Sequence, residues 1–423
     1  MPVDDADQEY AWNMDDELPD RGSPAAPDRS EGFGERLLGV LLDRSHSMPP
    51  HLIAPLIAEE IKTMGGREVT VLLQDYDQMT LVPLPGEGLV VGSAKSIDDS
   101  LAGLAFQTNE IVERPSPDVV RLYVPLLDGA DRLGVLAFTL DHVDEQDRRL
   151  ARRLAALVAD TLVTKSMYTD RFFQARRRRP MSLSAEMQWQ LLPPLMMTTP
   201  QVAVAGALEP AYDVAGDSFD YALNDHVLHL CMIDAMGHGL DAAVMATLAI
   251  GAYRHARRSD VELVDLYAAM DTALTAKFDP DGFATAQMAR LDVEMGRLQW
   301  VFAGHPPPLL IRNGHVEGEL ESPTTLPVGF GGATPIVTET SLQRGDRVLF
   351  FTDGLLEEHE TGGALFGEAR MQNLIEQVEA DGVPVQESVR RLSRRLMLAR
   401  GATSDDSTLL MFEWTGNSAA QPG

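Results

Sequence analysis

Two aspartates end strongly apolar runs that read as strands: Asp234 follows Leu230-Cys231-Met232-Ile233, and Asp353 follows Leu349-Phe350-Phe351-Thr352. Each leads into turn residues, Met236-Gly237-His238-Gly239 after Asp234 and Gly354 after Asp353, which bend the backbone toward solvent at a strand end. Asp217 has the same setting in Ala215-Gly216-Asp217, just before the strand Phe219 to Leu223, and Asp405-Asp406 precedes the strand Thr408 to Phe412. One such aspartate is ordinary turn chemistry. Four of these corners, without His or Cys partners, make a hard-oxygen donor set that suits Mg²⁺ or Mn²⁺ rather than Zn²⁺. Spacing alone does not bring such distant positions together.

The elements that must do so are strand-rich. Val202 to Leu208, Phe219 to Leu223, Val227 to Ile233, Ala286 to Val293, Leu298 to Phe302, Leu309 to Ile311 and Val348 to Thr352 have strand composition. Asn224-Asp225, Met295-Gly296 and Asn313-Gly314 fall between neighbouring strands, which predicts antiparallel hairpins rather than βαβ units. Two helices are inserted, Gly239 to Arg257 and Val261 to Ala276, each with one apolar face. Upstream, a helix-like stretch from His51 to Met64, short strands at Val69 to Leu73 and Met79 to Val82, and a hairpin turning at Asp128-Gly129 describe an α+β module. Between Asp144 and Gln190 the period is helical, with Leu150, Leu154, Leu157, Val158 and Leu162 on one stripe. The run Arg176 to Arg179 in this connector reads as a solvated face; a grip on a phosphoprotein or acidic surface is the sharper alternative.

Composition narrows the function. Of 423 residues, 44% are hydrophobic and 23% charged, which is globular usage. The net charge of −29 opposes binding to nucleic acid or anionic membrane and favours divalent cations. One cysteine, Cys231, excludes an internal disulfide framework and a Cys-rich zinc cluster, and in its apolar strand it reads as a packing residue rather than a thiolate nucleophile. No apolar run reaches the ~18 residues of a spanning helix and the N-terminus is acidic, so a cytoplasmic protein is expected.

The C-terminal half resembles the protein phosphatase 2C-like (PPM) metal-dependent phosphatases of the bacterial stage II sporulation protein E type. The resemblance rests on blocks in the family's order: Val214-Ala215-Gly216-Asp217-Ser218-Phe219-Asp220, Ile233-Asp234-Ala235-Met236-Gly237-His238-Gly239 with Ala242-Ala243, Ala303-Gly304-His305-Pro306-Pro307-Pro308, Phe351-Thr352-Asp353-Gly354, Leu365-Phe366-Gly367-Glu368 and Asp405-Asp406-Ser407-Thr408-Leu409. It implies an α+β fold whose C-terminal domain is an αββα sandwich of two antiparallel sheets flanked by helices. It also implies a site for two Mn²⁺ or Mg²⁺ ions. Asp234 would bridge them, the carbonyl of Ala235 would bind one, Asp353 and Asp405 would hold the second, and Asp217 would complete the shell directly or through water. Such a pair activates water for in-line attack on phosphorus, so no protein nucleophile is needed.

This chain departs from the family by Ala215 in place of a frequent Gly and Ala235 in place of another, and neither change removes a ligand. Position 236 is Met where eukaryotic relatives carry a His, so proton delivery to the leaving oxygen has no assigned residue. His238 and His305 sit in Gly- or Pro-rich corners and read as loop-stabilising. Gly237-His238-Gly239-Leu240-Asp241-Ala242 matches a dinucleotide fingerprint, but the helix at Val261 to Ala276 stands where that fold needs a second parallel strand.

The N-terminal module is similar to GAF sensor domains of α/β/α layering; a sensor for an unknown small ligand and a purely structural or dimerising module are both open to it. The expected organisation is an acidic disordered tail over 1–34, the GAF-like sensor over 35–160, a helical linker over 161–195 whose helix offers a surface for a homodimer, the phosphatase domain over 196–414 and a frayed tail over 415–423. The expected function is sensor-regulated serine/threonine phosphoprotein dephosphorylation. The substrate that the resemblance implies is a phosphorylated anti-sigma factor antagonist. The rival is a catalytically silent binding protein or ligand sensor that sequesters a regulatory partner.

Overall fold

The computed structural model describes residues 31–129, 131–213, 216–278, 282–352, 368–400 and 406–416. Short strands rich in Val, Leu and Thr build the first sheet: β1 (Arg67–Gln74), β2 (Thr80–Pro83), β3 (Lys95–Ser96), β4 (Val112–Ser116), β5 (Val119–Leu127) and β6 (Arg132–Leu140), in the order β3-β2-β1-β6-β5-β4. Their pairings are antiparallel. One face packs on α1 (Glu31–Ser47), α2 (Ile53–Thr63) and α4 (Glu145–Ser166), the other on α3 (Leu101–Thr108), giving an α/β/α layering. α4 starts with a capping box in which Asp144 Oδ1 accepts from Asp147 N at 2.8 Å and Asp147 Oδ2 accepts from Asp144 N at 3.0 Å. Its stripe Leu150, Leu154, Val158 and Leu162 is buried with Leu37 and Leu41 of α1, so most of the apolar face offered for pairing with a twin helix is spent inside one chain.

The connector continues as α5 (Arg171–Arg176) and α6 (Leu183–Leu191), and α6 lies on α7 (Gly239–Arg257). Two antiparallel sheets then stack. The first runs β15 (Thr338–Ser341), β12 (Arg297–Ala303), β11 (Ala284–Asp292), β10 (Val227–Ala235), β9 (Asp217–Asn224). The second runs β14 (His315–Glu319), β13 (Leu309–Arg312), β16 (Arg347–Phe351), β17 (Ser407–Trp414), β8 (Val202–Glu209), β7 (Met196–Thr198). Phe219, Met232, Trp300 and Phe302 from one sheet meet Val204, Phe350, Leu410 and Phe412 from the other, fully withdrawn from water. The outer faces are covered by α7 and α8 (Leu263–Phe278) on one side and by α9 (Glu368–Glu379) and α10 (Val385–Arg400) on the other. This is the expected αββα sandwich.

Antiparallel pairing of β10 with both β9 and β11 removes the parallel strand that a dinucleotide site requires. The predicted hairpins form, with Asn313 and Gly314 both at positive φ (50° and 81°), as a two-residue turn between twisted strands needs. The Arg176 to Arg179 run is not a bare solvated face. Arg176 Nε donates to Gln74 O at 2.8 Å, Arg177 pairs with Glu186, Arg178 lies 3.5 Å from Asp75 and Arg179 3.7 Å from Asp77. A local charge count cannot see acceptors that are a hundred positions upstream. Asp98 gives a further tether between the two halves, pairing with Arg390 at 2.6 Å and with Arg394, both on α10. No helix among the described residues is long and apolar enough to cross a membrane.

Burial in the middle of β10 has a measurable cost. His229 is 1% exposed, and desolvation, with Arg290 and Arg257 nearby, lowers its pKa to about 4 from the ordinary 6.5. A group depressed in the folded state favours the unfolded chain once that chain takes up the proton. Stability contributed by neutral His229 is therefore intact above about pH 6.5 and lost as pH falls toward about 4. The melting midpoint of the wild-type protein is expected to fall more steeply across that window than that of His229→Gln; parallel curves would show that His229 carries no such linkage.

Candidate metal centre

Strand pairing, not sequence proximity, assembles the carboxylates. In the β9–β10 register Asp217 stands directly opposite Asp234. Side chains directly opposite in an antiparallel pair have Cβ atoms about 4.5–5.5 Å apart, and like charges there repel. Asp217 is 2% exposed while Asp234 is half-buried at the rim. Burial, reinforced by the negative charges of Asp234 and Asp406, pushes the Asp217 carboxyl well above the usual carboxylate range, with hydrogen bonds from Thr352 and Thr408 acting the other way.

The second sheet reaches the same place. Thr352, fully buried after β16, donates its hydroxyl to Asp217 Oδ2 at 2.6 Å and accepts from Thr408 N at 2.9 Å. Gly216 N donates to Asp406 Oδ2 at 2.8 Å. Asp353 and Asp405 lie outside the described residues. Their chain neighbours Thr352 and Asp406 both contact the Gly216–Asp217 corner. Ala235 is buried, its N–H donating to Gly216 O at 3.2 Å, and a Cβ built on Gly216 would lie 2.6 Å from Ala235 O. Only glycine lets the backbone approach that carbonyl so closely.

Among the described residues no three His, Cys, Asp or Glu side chains are grouped as a complete metal cage. The donor chemistry nevertheless fits a hard cation. The set is oxygen-only, its acids oppose one another, and its most buried carboxyl is driven toward its protonated form when no positive charge is near.

His305 fulfils the loop-stabilising expectation. It is 6% exposed, its Nδ1 pairs with Thr285 Oγ1 at 2.6 Å and its Nε2 with Phe351 O at 3.1 Å, and burial lowers its pKa to about 4. Burial thus favours its uncharged form, and its contact with Phe351 O fixes the end of β16 that leads to Thr352. His238 instead stands exposed at the N-cap of α7 and makes no side-chain cap bond. Cys231 is buried and its thiol pushed up by desolvation, the state of a packing residue.

Two contributors had no role assigned from sequence. Thr352 joins the sheets beneath the carboxylates. Asp220, 1% exposed on β9, receives Arg254 at 2.6 Å and also binds Arg257, while Arg254 Nη2 donates to Leu191 O at 2.6 Å. This clamp ties α6 and α7 to the strand that carries Asp217. The i, i+3 spacing of Arg254 and Arg257 on one helix face was the available signal, but it names no partner.

Residues 224–415 match the family model described as Stage II sporulation protein E. A curated relative, phosphoserine phosphatase RsbP of Bacillus subtilis (strain 168), is 23% identical over 191 residues, which is 44% of this chain and 47% of that protein. The chain thus spans about half the length of that relative. A crystal structure of RsbU and RsbW domains from Mycobacterium tuberculosis aligns at 28% identity and TM-score 0.46, covering 54% of this chain and 64% of that one. The SiaA-PP2C domain of Pseudomonas aeruginosa aligns at 22% identity and TM-score 0.46, covering 54% and 94%. Opposed acids at a strand end and αββα layers thus frame a region whose residues 224–415 are similar to the stage II sporulation protein E family.

Proposed function

We propose that this chain is a metal-dependent protein serine/threonine phosphatase that uses two Mn²⁺ or Mg²⁺ ions, held by Asp217, Asp234, the carbonyl of Ala235, Asp353 and Asp405. The observation that carries this reading is the register pairing of Asp217 with Asp234, with Thr352 and Asp406 drawn to the same corner from the other sheet. Bound there, the cations supply activated water and neutralise the phosphoryl oxygens during in-line attack. The protein's own part is positional. Thr352 fixes the rotamer of Asp217, Gly216 lets its turn close against Ala235, and neutral His305 anchors the strand before Asp353. The relative named phosphoserine phosphatase supports a phosphomonoester substrate. The N-terminal α/β/α module acts as a GAF-like sensor, the substrate is a phosphorylated anti-sigma factor antagonist, and the working compartment is the cytoplasm.

Titrating Mn²⁺ tests this with two readouts. At ~100-fold excess over Kd, a ligand that binds only the folded state adds about 2.7 kcal/mol, or roughly 5–10 °C in the melting midpoint of a domain this size. p-Nitrophenyl phosphate hydrolysis should appear with the same Mn²⁺ dependence and vanish with EDTA. Stabilisation without hydrolysis of either this ester or a phosphoprotein would favour the silent binding protein; neither effect would end the metal reading.

A further inference from the structure

The loop ahead of Asp217 is gripped from outside its own domain. Tyr212 lies in the connection between β8 and β9, five positions before Asp217, and is fully buried. Its ring meets the edge of Tyr76, with centroids 6.1 Å apart at 77°. Tyr76 belongs to the β1–β2 turn of the N-terminal sheet, is 4% exposed, and also packs edge-on against Trp189 of α6 at 4.8 Å.

That turn is stiff. Asp75, with no exposed surface, accepts from Met79 N at 2.9 Å, Thr80 N at 3.0 Å and Thr80 Oγ1 at 2.7 Å. The arginine run straps the turn to the loop. Arg176 covers the Tyr76 ring at 4.8 Å, Arg179 covers the Tyr212 ring at 4.6 Å, and Arg178 N donates to Tyr212 Oη at 3.0 Å. The backbone is secured as well, since Ser182 N donates to Tyr212 O at 2.9 Å and Trp189 Nε1 to Ala211 O at 2.7 Å.

We infer that Tyr76 is a positioning residue for the metal site: by holding Tyr212, the N-terminal domain sets where the β8–β9 connection delivers Gly216 and Asp217, and so sets the affinity for the cation. The inference rests on the phosphatase reading and extends it by naming the contact through which the state of the N-terminal domain reaches the site. The physical reason is the short tether. Tyr212 and Asp217 are five positions apart on one connection, and the glycine next to Asp217 packs directly against the Ala235 carbonyl, so the anchored ring and the corner of the site belong to one short stretch of chain.

The test uses the full chain and Mn²⁺ alone as probe. An edge-to-face ring contact corresponds to about a two- to twelvefold change in an equilibrium constant, so Tyr76→Ala is expected to raise the Mn²⁺ concentration for half-maximal thermal stabilisation by a factor in that range. Its hydrolysis rate at saturating Mn²⁺ should stay near wild type. Tyr76→Phe keeps the ring and should restore wild-type Mn²⁺ dependence. If Tyr76→Ala melts cooperatively in the absence of metal yet binds Mn²⁺ as wild type does, the inference is wrong. Should Tyr76→Ala fail to fold, Tyr76→Leu keeps the apolar bulk and loses the ring contact, and an unchanged Mn²⁺ midpoint there would equally overturn it. Absence of any Mn²⁺ effect on the wild type would instead defeat the phosphatase reading itself.

Discussion

Asp234→Asn is expected to lower p-nitrophenyl phosphate hydrolysis by on the order of 10³-fold or more while the far-ultraviolet circular dichroism stays that of the wild type. Transition-state charge stabilisation by a bound cation is worth several kcal/mol, and each 1.36 kcal/mol is tenfold in rate. Asn keeps the shape of the side chain and loses the charge. The sign of the stability effect separates this substitution from a merely structural one. Burial raises the Asp217 carboxyl most and the charge of Asp234 across the register pair adds to it, so removing that charge eases one of the effects that disfavour the Asp217 carboxylate. The metal-free melting midpoint should therefore hold or rise, and the Mn²⁺-induced rise should shrink. This is the trade of stability against activity expected where like charges are gathered for function. Retention of full hydrolysis by both Asp234→Asn and Asp353→Asn would refute the metal assignment.

Asp220→Ala should be the most damaging change away from the acids. It leaves Arg254 and Arg257 facing a buried gap in place of the carboxylate that binds both. Breaking a buried ion pair from one side costs about 3–5 kcal/mol, because the remaining charge is stranded. At roughly 2–4 °C per kcal/mol for a domain of this size, the midpoint should fall by roughly 6–20 °C. Arg257 is 7% exposed and cannot turn freely to water, whereas Arg254 retains its bond to Leu191 O. Replacing Asp220, Arg254 and Arg257 together with apolar residues of similar volume should recover most of the loss, since the penalty lies in the unpaired charge. A shift of under 2 °C for the single variant would show that the clamp is solvated and contributes little. Hydrolysis at saturating Mn²⁺, measured below the melting range, should be far less affected than in Asp234→Asn.

What the sequence determined alone was local. Turn pairs at Asn224-Asp225, Met295-Gly296 and Asn313-Gly314 announced antiparallel hairpins, and those strands pair as expected. The helical stripe of α4 was legible too, from Leu150 to Leu162. α9 and α10 went unread in sequence, although Val385, Val389, Leu392 and Leu396 recur at helical spacing and all four are buried on one face. The chemistry of the candidate site was legible as a class of donor, because oxygen-only acids at strand ends suit only hard cations.

Partnership was decided by the tertiary structure. Gly216 meets Asp406 across 190 positions and Thr352 meets Asp217 across 135, separations over which no periodicity carries information. The same holds for the arginine run, which by composition belonged in solvent and in the fold grips Asp75, Tyr76 and Tyr212. The apolar stripe of α4 likewise fits either a twin helix or its own domain, and only packing against α1 settles where it is spent. Hydrophobic period and turn chemistry act between near neighbours in the chain, so they are written in sequence. Which carboxylate faces which, and what clamps the strand beneath them, follows from the register of strands joined through long loops, and that register exists only once both sheets have closed on a common core.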